Sequence, residues 1–154
     1  MHSKAYISIG SNTLNKYENI KFGINQLSSL TSKLIHSKYY ITEPEGFRHQ
    51  PAFLNVVCLI TTKLSPFKLL YEINLIERKA NRKRIFPNSP RSLDLDILLF
   101  DNQIIKTKHL EIPHPRMTKR KFVIEPLAEI SPFLVIPNQH LTVDEILSLS
   151  LIHI

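Results

Sequence analysis

The chain has 154 residues, of which 43% are hydrophobic and 21% charged, and this is the length and composition of one globular domain over residues 1–154. Its net charge of +7 favours a polyanionic partner such as a nucleotide, a nucleic acid or an anionic membrane, but no apolar stretch approaches the roughly 18 residues of a membrane span. The single cysteine, Cys58, excludes a disulfide framework, is expected to be a buried thiol, and favours a cytoplasmic protein.

The first half of the chain alternates predicted strands with one helix. Residues 5–9 alternate apolar and polar side chains as a strand does, and a turn cluster follows at 10–12. Apolar residues are then spaced as one face of a helix, at Ile20, Ile24, Leu27 and Leu30. Residues 34–41 are rich in β-forming side chains, and the β-branched run 53–64 predicts a long central strand.

The second half supplies another helix, a fourth strand and a last helix. Ser65 and Pro66 are a typical N-cap and first helical residue, and apolar positions recur from there to Ala80. Residues 93–100 predict the fourth strand, 104–105 and 110–112 predict short strands, and the capping-box pattern at 142–145 predicts a helix through Leu151. The order β-α-β-β-α-β predicts an α+β ferredoxin-like sandwich, with a mostly antiparallel sheet and helices packed on its faces.

Two aspartates at the start of the fourth strand are the strongest candidates for chemistry. Because side chains alternate along a strand, Asp94 and Asp96 should share one face, with Cα atoms roughly 6.6 Å apart, while Leu95 points to the other. Neighbouring carboxylates repel each other, and Mg²⁺, which binds carboxylate oxygens together with substrate phosphates, would relieve that repulsion. Two metal ions stand about 3.5–4 Å apart in two-metal sites, a separation that one carboxylate pair can bridge. The alternative is a half-exposed strand with two solvated side chains.

Three loops are predicted around this strand. The segments 78–91 and 114–122 contain lysine and arginine but no acidic residue, and arginine suits bidentate contacts with phosphate. The three predicted loops are the proline-containing segment 42–52 and the segments 82–91 and 113–121, and connections of about ten residues are often functional. His114 could donate to a phosphate oxygen or bond locally. With only three glycines, neither a P-loop nor a dinucleotide fingerprint is possible, so the residues favour phosphoryl-type transfer or phosphoester hydrolysis by other means.

An aromatic ring and an amide should share one face of the central strand. Phe53 and Asn55 are two residues apart, and together they could recognise a flat heterocycle by stacking and paired hydrogen bonds. Phe122, after the second basic segment, offers another ring. The alternative is that both phenylalanines are core residues.

The run 90–98, Pro-Arg-Ser-Leu-Asp-Leu-Asp-Ile-Leu, resembles the signature of the 6-hydroxymethyl-7,8-dihydropterin pyrophosphokinases of folate biosynthesis. The similarity continues through 7–12, 42–55, Glu77 with Arg82 and Arg84, and the segment 112–127, in the order that this family has. The resemblance implies transfer of pyrophosphate from ATP to the hydroxymethyl group of the pterin, with release of AMP. It also implies a monomer that acts on small molecules and not on nucleic acid.

The resemblance assigns roles to individual residues. Two Mg²⁺ ions are expected on Asp94 and Asp96. The residues expected to carry catalysis are Arg82, Arg91, Asp94 and Asp96. The residues expected around the co-substrate ATP are Glu77, Arg82, Arg84, Arg91, His114 and Arg120. The residues expected around the pterin are Thr42, Pro44, Gly46, Phe53, Asn55 and Phe122.

The chain also departs from its relatives at several positions. Asn81 stands where family members often have glycine, and Asn88 where some have a large aromatic residue. His109 and Glu111 stand where some relatives have arginine and threonine near the phosphates. Lys106 or Lys108 could replace those contacts.

Two other classes fit the residues alone. One is a metal-dependent phosphohydrolase or nuclease that uses the same aspartates and arginines. The other is a basic ferredoxin-like RNA-binding module, which would stack bases on aromatic side chains of its central strands.

Overall fold

A computed structural model describes residues 1–42, 52–81 and 93–152, with side chains through residue 150. Its main sheet has the order β2-β4-β1-β5, and β3 pairs with β4 beside β2. All of these pairings are antiparallel. The strands are β1 (Ser3–Ser11), β2 (Lys33–His36), β3 (Tyr40–Thr42), β4 (Phe53–Thr62) and β5 (Asp94–Phe100). A separate hairpin joins β6 (Ile105–Lys106) to β7 (Glu111–Ile112).

Helices cover both faces of the sheet. The helices are α1 (Lys16–Ser28), α2 (Pro66–Asn81), α3 (Lys121–Ile130) and α4 (Val143–Ile152), with a short 3₁₀ turn at Met117–Lys119. Side chains of α1 and α2 share one apolar core with β1, β4 and β5, whereas α3 and α4 share a second core on the opposite face. The predicted ferredoxin-like α+β sandwich is therefore confirmed. None of the helices in the described ranges is long and apolar enough to cross a membrane.

The central strand β4 divides its side chains between the two cores, as its alternation requires. Leu54, Val56 and Cys58 belong to the core under α1 and α2, and Val57 belongs to the other. The prediction that Cys58 is buried is confirmed, and burial raises the pKa of its thiol to about 12. The thiol is therefore a packing group.

Residues 34–41 contribute to two short strands, β2 and β3, where the predicted order β-α-β-β-α-β counts one. Ser37 interrupts the strand because its side chain takes part in the backbone ladder. The Ser37 N–H donates to the carbonyl of Val57 at 2.9 Å, and the Val57 N–H donates to Ser37 Oγ at 3.0 Å. A hydroxyl in place of a carbonyl interrupts the regular pairing with β4 between the end of β2 and the start of β3.

Helix α3 was not predicted, and the loop assigned to 113–121 ends in it. Pro126 lies inside this helix, where it removes one backbone hydrogen bond and disguises the helical pattern in the sequence. The apolar side chains compensate, since Val123, Ile124 and Leu127 are almost fully buried in the second core. Tertiary packing therefore stabilises a helix that local preference alone does not indicate.

The two predicted helix starts are confirmed by their caps. Ser65 is the residue before α2 begins, and its Oγ accepts a hydrogen bond from the Lys68 N–H at 3.2 Å. At α4 the capping box is complete, because Thr142 N–H donates to Glu145 Oε1 at 2.9 Å and Glu145 N–H donates to Thr142 Oγ1 at 3.2 Å.

Candidate active site

The aspartate pair lies at the beginning of β5, on the edge of the sheet. Asp94 is paired with Gly10 and Asp96 with Ser8 across the antiparallel ladder. Leu95 between them is buried in the core under α1 and α2, whereas Asp94 is half-buried and Asp96 exposed. The prediction that the two carboxylates share a face is confirmed by the cavity that both line.

A carboxylate from α2 holds this edge strand from outside. The Leu95 N–H, located between the two aspartates, donates to Glu77 Oε2 at 2.9 Å. An edge strand presents backbone groups that have no partner strand, and a side-chain acceptor satisfies one of them. Glu77 therefore fixes the backbone from which both aspartates project.

A first cavity of about 700 Å³ opens on the face that carries the aspartates. One wall comes from β3 and β4, with Thr42, Phe53 and Asn55, and a second wall comes from Phe122 at the start of α3. The expected sharing of a face by Phe53 and Asn55 is confirmed. The complete lining is Ser8, Gly10, Thr42, Phe53, Asn55, Asp94, Asp96, Lys119, Arg120, Lys121 and Phe122. Two rings and an amide around one cavity form a suitable site for a flat, polar heterocycle.

Asn55 is fixed in the wall of this first cavity. It is only 7% exposed, and its Nδ2 donates to Thr42 Oγ1 at 3.3 Å. Gly10 on the neighbouring strand leaves room for it, because a Cβ at that position would lie 3.0 Å from Asn55 Oδ1. Glycine at position 10 therefore allows the amide to approach the backbone of β1 closely.

A second cavity of about 620 Å³ runs along the outer edge of β5, between α2 and the β6–β7 hairpin. It contains Glu77, His114 and Arg120, so three of the residues predicted for ATP lie together here with Asp94 and Asp96, the residues predicted for metal. Lys108, His109 and Glu111 also line it, whereas Lys106 lines a neighbouring cavity of about 150 Å³. The two large cavities meet at Asp94, Asp96 and Arg120, which line both.

His114 is held between the sheet and the second basic segment. The backbone N–H of His114 donates to the carbonyl of Leu98, at the point where β5 has an irregular register against β1. The Arg116 N–H donates to His114 Nδ1 at 3.2 Å, so the neutral ring carries its hydrogen on Nε2. Burial lowers the pKa of His114; the Asp96 carboxylate opposes this shift and Arg120 reinforces it. A neutral ring with a donor at Nε2 suits contact with a phosphate oxygen.

Arg120 connects the two cavities physically. Its guanidinium carbon lies 5.5 Å from the centroid of the Phe122 ring, within the range of a cation–π contact. Lys119, Lys121 and Ser8 also line the first cavity, although the sequence indicated no site role for them beyond the basic segment that contains the two lysines. The period of two from Gly10 to Ser8 was the available signal.

Several predicted residues lie outside the part of the chain that the structure describes. These are Pro44, Gly46, Arg82, Arg84, Arg91 and Asn88. Their roles stay predictions. The remaining predicted site residues are brought together around the two cavities.

The donor set of the aspartate pair fits Mg²⁺ with bound phosphates. In the described residues, no group of three or more acidic, histidine or cysteine side chains is arranged to hold a metal ion. Mg²⁺ does not need such a group, because it commonly binds one or two carboxylates and takes its other oxygens from water and substrate phosphates. Two carboxylates at the junction of two cavities match that requirement.

A ferredoxin-like sandwich with a carboxylate pair and an arginine between two cavities, and a histidine in one of them, has the layout of a phosphotransferase. Comparison with known families agrees. The model of the 7,8-dihydro-6-hydroxymethylpterin-pyrophosphokinase family matches residues 6–132, and the chain belongs to this family.

Individual relatives support the assignment. The chain is 42% identical over 139 residues to the 2-amino-4-hydroxy-6-hydroxymethyldihydropteridine pyrophosphokinase of Haemophilus influenzae, covering 89% of this chain and 87% of that protein. It is 41% identical over 139 residues to the folic acid synthesis protein fol1 of Pneumocystis carinii, covering 90% of this chain but only 19% of that protein. The crystal structure of Plasmodium falciparum HPPK-DHPS with pteroate shares the fold, with a TM-score of 0.78 and 15% identity over 97% of this chain and 42% of that one.

Proposed function

We propose that the protein transfers the pyrophosphoryl group of ATP to 6-hydroxymethyl-7,8-dihydropterin, giving the pterin diphosphate and AMP in folate biosynthesis. The observation that carries this proposal is the junction of two cavities at Asp94, Asp96 and Arg120. The first cavity has the rings and amide that suit a pterin. The second cavity has the basic and hydrogen-bonding groups that suit a nucleoside triphosphate.

The chemistry needs alignment more than a strong base. The oxygen of the pterin hydroxymethyl group forms a bond to the β-phosphorus, the bond from that phosphorus to the α,β-bridging oxygen breaks, and the hydroxyl proton leaves to solvent. Phe53, Phe122 and Asn55 orient the acceptor, while Arg120 and the Nε2–H of His114 offset charge on the phosphates. Arg82, Arg84 and Arg91 supply further positive charge in the same proposal.

Asp94 and Asp96 would hold Mg²⁺, with two ions proposed. When bound, the metal neutralises phosphate charge and polarises the reacting phosphoryl group. Glu77 helps to position the two carboxylates, because it accepts a hydrogen bond from the backbone between them. The same pair also suits a metal-dependent phosphohydrolase, which remains distinct in its products.

We propose a monomeric domain over residues 1–154 that acts on small molecules and not on nucleic acid. Helices α3 and α4 pack over one face of the sheet, and α1 and α2 over the other. A ferredoxin-like RNA-binding module instead leaves one face open for stacked bases. A cytoplasmic location belongs to the same proposal, supported by the single unpaired thiol of Cys58.

The products distinguish the candidate functions. The protein would be incubated with ATP, Mg²⁺ and 6-hydroxymethyl-7,8-dihydropterin, and the nucleotides and pterins separated. AMP formed in equal amount with pterin diphosphate is the expected result. ADP, or AMP formed without pterin, would identify a kinase or hydrolase on this scaffold, and absence of turnover with measurable RNA binding would favour the binding module.

A further inference from the structure

One carboxylate on the last turn of α3 accepts three hydrogen bonds from a different part of the chain. The Lys38 N–H donates to both oxygens of Glu129, at 3.1 Å each, and the hydroxyl of Tyr40 donates to Glu129 Oε1 at 2.6 Å. Glu129 lies outside both cavities described above. Nothing in the proposed chemistry uses it directly.

The segment that Glu129 holds forms part of the wall of the first cavity. Tyr40 is the first residue of β3 and is paired with Asn55, and Thr42 at the other end is paired with Phe53. Thr42 Oγ1 also accepts the hydrogen bond from Asn55. Strand β3 has three residues and, among the described residues, pairs with β4 alone, so contacts outside the sheet contribute much of its stability.

The second wall of this cavity, formed by Phe122, belongs to the helix that carries Glu129. Phe122 is seven residues before Glu129 on α3, which is two helical turns or roughly 10 Å along the axis. A helix of this length is rigid compared with a three-residue strand. Its carboxylate therefore links the wall that carries Thr42 and Asn55 to the wall that carries Phe122.

We infer that Glu129 is a positioning residue, which sets the separation of the two walls of the first cavity and so the affinity for the heterocyclic substrate. The inference rests on the proposed function of that cavity as the pterin site. It predicts that Glu129 affects pterin binding and leaves ATP binding and the reacting groups unchanged.

The rest of the molecule keeps this effect local. Helix α3 is attached to the sheet independently, through its buried apolar side chains and through a 2.6 Å hydrogen bond between Ser131 Oγ and Tyr6 Oη. Glu129 itself is exposed, so its removal leaves no cavity in the core. Burial and the hydrogen bond to Glu129 raise the pKa of Tyr40, so the phenol stays a donor at neutral pH.

The test compares Glu129→Ala with Ser131→Ala, a control that removes a hydrogen bond from the same end of α3 but does not touch β3. For Glu129→Ala, the pterin dissociation constant and the KM for pterin should rise roughly tenfold, because a hydrogen bond to a charged group contributes about that factor to an equilibrium constant. The kcat at saturating pterin should stay within about twofold and the KM for ATP should not change. Tyr40→Phe, which loses only one bond, should raise the KM for pterin by roughly threefold.

The inference would be overturned by an unchanged KM for pterin in both Glu129→Ala and Tyr40→Phe. It would also be overturned by equal losses of pterin and ATP affinity, or by a Ser131→Ala variant that loses pterin affinity as strongly as Glu129→Ala. A wild-type protein that turns over no pterin would overturn the proposed function itself, and this separate result is read before the variants are compared.

Discussion

Asp94 and Asp96 are placed so that their loss should remove activity and leave the fold intact. Leu95 and Ile97 of the same strand are in the core, but the two carboxylates are half-buried and exposed. We predict that Asp94→Ala and Asp96→Ala each lower kcat by roughly 10³-fold or more, the scale of removing a charge-stabilising group. The melting temperature should be unchanged or slightly raised, because the substitution removes the repulsion between two like charges. A melting temperature far below that of the exposed control Asp144→Asn would contradict this assignment.

Gly10 offers a sharper test at the residue scale. A methyl group at this position would lie 3.0 Å from Asn55 Oδ1 and would displace the amide from its bond with Thr42. We predict that Gly10→Ala raises the KM for pterin roughly tenfold, the effect of one disturbed hydrogen-bonding group. Unfolding in urea should show equal or lower stability, because the gain of about 0.5–1 kcal/mol from alanine in a strand is offset by the displaced hydrogen bond of the buried Asn55 amide, which costs about 1–3 kcal/mol. Unchanged pterin kinetics would show that Asn55 does not read the substrate.

At the scale of elements, the capping box of α4 links stability to pH. Its bonds to Thr142 lower the pKa of Glu145, so the carboxylate contributes stability at pH values above its ordinary unfolded value. That contribution is lost as the pH falls through the lowered folded value. We predict that Glu145→Gln is less stable than wild type at pH 7. The two proteins should be equally stable in acid, where the Glu145 carboxyl of the wild type is protonated in both the folded and the unfolded state. Urea titrations at several pH values would test this, and a difference independent of pH would contradict it.

The partner residue of the box has a simpler expected effect. Thr142→Ala removes the acceptor for the Glu145 N–H and should cost about 1 kcal/mol of unfolding free energy, as is usual for N-cap threonine. Ser148→Ala, on the same helix, loses only a bond from its hydroxyl to the Asp144 carbonyl and serves as the control. A loss in Thr142→Ala no larger than in this control would contradict the role of the cap.

Local patterns predicted the elements whose stability is local, and failed where tertiary contacts decide. Strand β1 alternates clearly, β4 and β5 contain continuous runs of apolar residues, and the caps at Ser65 and Thr142 are short-range signals. Helix α3 escaped prediction because Pro126 contradicts the helical pattern, and only burial of its apolar side chains in the second core overrides that preference. The break at Ser37 depends on its bond to Val57, twenty residues away in the chain.

At the scale of the whole molecule, Cys58 reports on global opening. It is 0% exposed on a central strand, and its raised pKa of about 12 keeps it a thiol at pH 8. We predict that a thiol-specific reagent modifies the native protein at least roughly 10³-fold more slowly than the urea-unfolded protein, since reaction requires unfolding. Saturating ATP analogue with Mg²⁺ and pterin should slow it further, because these ligands bind only the folded state. Rapid modification of the native protein would contradict the burial of this strand.

The site as a whole could be predicted only in part. The spacing of Asp94 and Asp96, and of Phe53 and Asn55, correctly indicated which side chains share a face, because alternation is a property of one strand. The junction of two cavities, and the link from Glu129 on α3 to β3, arise from elements that are distant in the chain. Such arrangements depend on packing between elements, and no short-range pattern encodes them.

The proposed site is tested most directly by a crystal structure of the protein with Mg²⁺, a non-hydrolysable ATP analogue and 6-hydroxymethyl-7,8-dihydropterin. We predict the pterin between Phe53 and Phe122 with its polar edge on Asn55, and the triphosphate in the cavity along β5. Metal density should lie on Asp94 and Asp96, with the hydroxymethyl oxygen near the β-phosphorus at the junction of the two cavities. A pterin bound outside the first cavity, or a triphosphate that does not reach the aspartates, would contradict the account.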